Sequence, residues 1–234
     1  MPLYLILLIL SIFFPLVLSF DKKVGFYKHW PVLLPSLVLT GALFIVFDIY
    51  FAREGIWGFN PQYHSDIVPA GLPLEEWLFF IVIPYSSIFI HYVLIAYFPN
   101  GILPGKTTKM ISAVLMAILL FAIILNPDRA YSVVYFSLMI AVLLISLFEK
   151  TGLLNRFFIS FPVILVPFII INGILTGSFI EGEVVWYNET EITGFRLITI
   201  PVEDFAYGFS LILINLLLMN YFRKLFYKKP AQLK

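Results

Sequence analysis

The chain has 234 residues, 61% of them hydrophobic and 12% charged, with a mean hydropathy of +0.98. Soluble domains average about 25% charged residues, so this is the composition of a membrane protein. It has no cysteine, which excludes a disulfide framework and thiolate metal sites, and its net charge of +1 says little by itself.

A helix needs about 20 mostly apolar residues to cross a bilayer, and seven stretches come near that length: 3–20, 31–51, 73–97, 109–125, 130–148, 157–177 and 199–221. The first lacks the basic start and small-residue cleavage site of a signal peptide and reads as a retained anchor. The second carries Asp48 near its end and leads into a long loop with Trp57 and Asn60. The third opens on "PLEEWLFF", which sets Glu75 and Glu76 against an aromatic run. After the fourth and fifth, the sixth carries Asn172, and the loop behind it holds Trp186 and Asn188. The last opens on "PVEDFAYG", with Glu203 and Asp204. Of the 15 Lys and Arg, 12 fall in or next to the loops 21–30, 98–108 and 149–156 or in the tail, leaving only Arg53, Arg129 and Arg196 elsewhere. Lys and Arg collect on the cytoplasmic side, so the expectation is an all-α, seven-span protein with its amino end outside and its carboxyl end cytoplasmic. It would be multi-pass in a bacterial inner or archaeal plasma membrane, with the lipid bilayer and no nucleic acid as partner. Its oligomeric state is not legible.

Sliding the sequence along itself until Asp21 falls on Glu149 brings "SFDKK" onto "LFEKT" and Asn60 onto Asn188. The same shift places Pro73, Glu75 and Glu76 on Pro201, Glu203 and Asp204. Similarity at a fixed offset points to duplication. Three helices place the ends of a unit on opposite sides, so a connecting helix is needed before a parallel copy. The expected division is a first three-helix repeat at 1–98, a connecting segment at 99–129, a second repeat at 130–222 and a basic tail at 223–234. Both acidic motifs then enter the membrane from the same side.

Taken singly, Pro-x-acid-acid is an ordinary helix start, since Pro suits the first turn and acids suit the positive end of the helix dipole. Two copies at matching places in a membrane protein point further, because ionisable residues at membrane depth mark function. Burial and a neighbouring carboxylate both disfavour the charged form of an acid. On a helix Glu75 shares a face with Phe79, and Glu203 with Tyr207. An acid beside an aromatic face is suited to protonating an apolar π-system and stabilising the resulting cation. Trp30, Trp57, Trp77 and Trp186 lie near helix ends, where interfacial anchoring accounts for them. His29, His64 and His91 show no metal-ligand spacing, and no glycine-rich nucleotide turn is present, so neither metal nor cofactor is expected.

At its paired motifs, Pro73-Leu-Glu75-Glu76-Trp77-Leu-Phe79 and Pro201-Val-Glu203-Asp204-Phe-Ala-Tyr207, the chain resembles the heterodimer-type lycopene cyclases of carotenoid synthesis, in the fused two-domain form. "GIWGFNPQY" at 55–63 and the seven-helix hydropathy extend the resemblance over nearly the whole chain. The resemblance implies a cofactor-independent lycopene β-cyclase, an isomerase that converts the linear ψ-ends of lycopene to β-rings through γ-carotene to β-carotene. It implies that acid and base are drawn from Glu75, Glu76, Glu203 and Asp204. Asp48, Asn60 and Asn188, with Trp77, Phe79, Asn172 and Tyr207, are the expected orienting or substrate-binding residues. A related acyclic substrate, C50 or giving one ring, is the near alternative.

A retinal-binding protein would need a Schiff-base lysine in the last helix, and 199–221 has none. A proton-coupled transporter would favour broken helices and acids near the midplane. Pro84, Pro162 and Pro167 could supply kinks, but the acids sit close to one face.

Overall fold

A computed structural model describes residues 1–227. Lys228, Lys229 and Lys234, part of the basic tail expected from sequence, lie outside the described residues. Seven helices run in chain order: α1 (Leu3–Leu18), α2 (Trp30–Arg53), α3 (Leu74–Tyr97), α4 (Gly105–Leu125), α5 (Ala130–Leu147), α6 (Leu153–Leu175) and α7 (Val202–Phe226). Four short strands lie in the two long loops: β1 (Trp57–Phe59), β2 (Val185–Tyr187), β3 (Arg196–Leu197) and β4 (Ile200–Pro201).

Three helix starts differ from the sequence expectation by three residues or more. Helices α4 and α6 begin a full turn before 109 and 157, because hydropathy marks where an apolar run starts, whereas Pro104 and Gly152 start the helical turn before it. Helix α7 begins at Val202 rather than 199, because Ile200 and Pro201 pair with Leu197 and Arg196 as β4 on β3. Among the described residues six helices are long and apolar enough to cross a membrane. The exception is α1, whose 16 residues span about 24 Å at 1.5 Å per residue, short of the roughly 30 Å hydrocarbon core. Helices α3 and α6 run unbroken through Pro84, Pro162 and Pro167, against the broken helices a transporter would favour.

Helix α7 is the centre of the bundle. It packs on α5, α2, α3 and α6, and its buried residues run from Glu203 to Met219. Helix α4 lies outermost and buries only Thr108, Ser112 and Leu119. Leu10, Phe14, Val38, Phe121, Ile145 and Val166 point outward, exposed. An apolar exterior of this extent is compatible with lipid and not with water.

Several contacts recur at, or next to, the offset that carries Glu75 onto Glu203. Helix α1 packs on α3 as α5 packs on α7. The Tyr4 amide donates to the Tyr63 carbonyl, and the Tyr131 amide to the Glu191 carbonyl. The Lys23 amide donates to Asp21, and the Thr151 amide to Glu149. Strands β1 and β2, which occupy matching positions in the two halves, pair antiparallel with Trp57 opposite Tyr187, Gly58 opposite Trp186 and Phe59 opposite Val185. The pair is closed at both ends by the same bond, Asn60 amide to Val184 carbonyl and Asn188 amide to Ile56 carbonyl. Gly58 is required at the centre: a Cβ there would lie 2.5 Å from Cζ2 of Trp186. This ribbon ties the two long loops over the end of the bundle where α3 and α7 begin.

Candidate active site

The acids of each pair point to different tasks. Glu75, at the first turn of α3, accepts at Oε1 from the Ser65 amide (2.9 Å) and at Oε2 from the Ser65 hydroxyl (3.0 Å). Glu203, at the first turn of α7, accepts at Oε1 from the Thr193 amide (2.6 Å) and the Ser132 hydroxyl (2.5 Å). Ser65 and Thr193 both stand ten residues before their glutamate. These two buried glutamates therefore clamp the preceding loop onto the helix start.

Glu76 and Asp204 are one residue further on, rotated about 100° around a helix of 3.6 residues per turn, and they line one small cavity together. Glu76 accepts at Oε2 from the Tyr4 hydroxyl (2.6 Å); its Oε1 has no bond among the described residues. Asp204 accepts from three side chains: Tyr131 (2.9 Å to Oδ1), Tyr187 (2.9 Å to Oδ2) and the Asn172 amide (2.8 Å to Oδ2). The cavity measures about 50 Å³, and its walls include Trp57, Phe79 and Tyr207. The Trp57 indole N–H is buried with no partner among the described residues. Asp48, fully buried, lies behind the wall and accepts from Tyr135 (3.2 Å) and Tyr207 (3.4 Å). It thereby holds two rings whose centroids are 4.8 Å apart.

The site thus brings three carboxyls together. The two ion pairs among the described residues, Arg196–Glu189 and Lys224–Glu149, involve none of them. Among the described residues no group of three or more His, Asp or Glu side chains is placed to hold a metal ion.

Phe79, Phe168, Asn172, Leu175 and Tyr207 also line a second, larger cavity of about 310 Å³ that adjoins the first between α1, α3, α6 and α7. Its remaining walls are almost wholly apolar, and Leu10, Phe14 and Ile170 at its edge are exposed on the lipid-facing surface. The whole is an apolar channel from the bilayer that ends on two carboxyls.

Of the residues expected from sequence, Glu76, Asp204, Phe79, Asn172 and Tyr207 meet at this cavity, with Asp48 behind them. Glu75 and Glu203 lie beside it, facing the loops. Asn60 and Asn188 stand apart, because each uses its side-chain oxygen to close its own turn, on the Gln62 amide (3.0 Å) and the Thr190 amide (3.0 Å). Trp77 also stands outside, its indole reaching the Pro69 carbonyl at 3.4 Å. Sequence reasoning missed Tyr4, Tyr131, Tyr135 and Tyr187, the donors and walls of the site. A usable signal was present: Tyr4 and Tyr131 stand near the starts of their apolar stretches, within a residue of the offset that relates the two acidic motifs.

The model of the family described as Lycopene cyclase matches residues 1–94 and 128–222. No curated protein and no solved structure matches the chain.

Proposed function

This chain belongs to the lycopene cyclase family, membrane-embedded enzymes of carotenoid cyclisation, and we propose that it is a lycopene β-cyclase that closes the linear ψ-ends of its substrate by proton transfer. The observation that carries the reading is the apolar channel ending on Glu76 and Asp204. A hydrocarbon has no polar handle, so recognition falls to shape and the site needs charge only where the proton moves.

The hydrogen bonds support a division of labour. Asp204, with three donors aimed at it, is arranged as a carboxylate, since hydrogen bonds to the charged form favour it. Glu76 has one oxygen free to carry a proton and no cation beside it. Glu76 gives its proton to the terminal double bond, leaving a tertiary cation. The internal double bond attacks that cation, which forms the ring bond and moves the positive charge into the ring. Asp204 removes a ring proton to leave the β-ring; between turnovers it gives that proton up to solvent and Glu76 takes one from solvent, which resets the pair. No electron is gained or lost. The faces of Tyr207, Phe79 and Tyr131 supply cation–π stabilisation, and the apolar walls keep water from trapping the cation.

The contacts that recur at matching places in the two halves support a duplicated three-helix unit, with α4 as the connector between parallel copies. Seven spans, amino end outside, are supported by the packing of α1 along α3 and by the Lys and Arg distribution. In a cell membrane, both acids then enter from the outer side.

The test is expression in a lycopene-accumulating bacterium followed by pigment chromatography. One-ring and then two-ring carotenes are expected. Unchanged lycopene with the protein present in the membrane overturns the reading.

A further inference from the structure

Two acidic motifs at equivalent places lead one to expect two equivalent cavities, one on each side of the bundle. Among the described residues only one reaches the acids from the bilayer. Asn172 and Gly208 line that channel, and the offset that carries Glu75 onto Glu203 carries Phe44 onto Asn172 and Phe80 onto Gly208. Gly208 is already tight against its neighbour: a Cβ there would lie 3.3 Å from Cε2 of Phe168, so any longer side chain enters the channel. On the opposite side Phe80 is fully packed, seated on Gly41, where a Cβ would come within 3.2 Å of it. Its ring lies 6.1 Å from Phe44, which lies 6.2 Å from Tyr135 and 5.1 Å from Tyr207, and together these rings fill the matching space. The other large groove, about 880 Å³ between α4, α5, α6 and α7, is lined by no Asp, Glu, His, Lys or Arg and has no proton to give.

Resting on the cyclase reading, we propose that this protein has a single catalytic cavity, with Phe44 and Phe80 closing its counterpart. The two ends of a carotenoid are then cyclised in separate visits, with the one-ring product released to the bilayer between them. A conjugated polyene is a stiff rod, so its second end cannot fold back to the acids that served the first. The one-ring molecule leaves sideways, turns end for end in lipid and returns. Gly208 and Asn172 keep the channel open, and the phenylalanines at the equivalent positions determine that there is only one.

The wild-type protein in lipid vesicles provides the test. It is given isotopically labelled linear carotenoid together with an excess of unlabelled one-ring carotenoid. A released intermediate mixes with the unlabelled pool, so labelled one-ring product collects and label in the two-ring product falls in proportion to the excess. Labelled two-ring product at undiminished level means that both ends close in one visit and overturns the proposal. If no ring forms at all, it is the cyclase reading that fails. The variant Gly208→Phe, at normal membrane yield, is expected to lose one-ring and two-ring products alike. Retention of the one-ring product would reveal a second working cavity.

Discussion

Substituting the acids one at a time separates proton transfer from loop clamping. Glu76→Gln keeps the size of the side chain and an acceptor for the Tyr4 hydroxyl, but removes the transferable proton. A positioned general acid is worth about 100- to 10,000-fold in rate, or about 3–5 kcal/mol of barrier, and no other acid on the channel stands ready to replace it, since Asp204 is held by three donors. Conversion is therefore expected to fall by at least about 100-fold. Glu75→Gln keeps one acceptor oxygen toward Ser65 and loses the other, a change of about 1 kcal/mol in one hydrogen bond. It is expected to lower membrane yield modestly and leave conversion per molecule within a few fold. The assay is carotenoid chromatography of the host cells, normalised to membrane protein by immunoblot. Glu76→Gln with ordinary conversion, or Glu75→Gln as inactive as Glu76→Gln at equal yield, refutes the division of the pair.

Further outcomes follow from the same contacts. In D₂O, each ring formed is expected to carry one deuterium from the initiating proton, read by mass spectrometry of the product; rings free of deuterium exclude the proton-initiated route. Tyr187→Phe removes one of three donors to a buried carboxylate, at about 1–3 kcal/mol, and is expected to slow conversion more than Tyr63→Phe, whose hydroxyl bonds only the Glu181 carbonyl. Equal effects would detach Tyr187 from the chemistry. Gly58→Ala places a methyl group 2.5 Å from the Trp186 ring and is expected to lower thermal stability in detergent by about 1–3 kcal/mol, the range for overpacking. Trp186→Ala should relieve most of that loss, and a penalty unchanged in the double variant would mean that strain at the ribbon is not its source.

The helices were legible because a membrane span is a matter of composition: every backbone group is satisfied within the helix, so an apolar run of sufficient length declares itself. The same holds for the helix starts at Pro73 and Pro201, where a local rule applies, and for the offset between the two halves, which is visible by superposing the chain on itself. The assignment within each acid pair was not legible. Glu75 and Glu76 are neighbours with the same chemistry, and only a rotation of about 100° per residue, set by how α3 packs on α1, turns one to its loop and the other to the channel. Asn60 and Asn188 matched in register and stood at the right level, yet the backbone of their turns claims their side chains. The tyrosines that hold Glu76 and Asp204 come from 72 and 73 residues away, a separation across which no local pattern acts. Sequence by itself determined a helical membrane chain of the lycopene cyclase kind with similar acidic motifs at two helix starts. Tertiary packing decided which acids face the cavity and, by filling one side with Phe44 and Phe80 and leaving the other open at Gly208, where among the described residues a cavity reaches them, because a void is a property of facing side chains and not of either stretch of sequence alone.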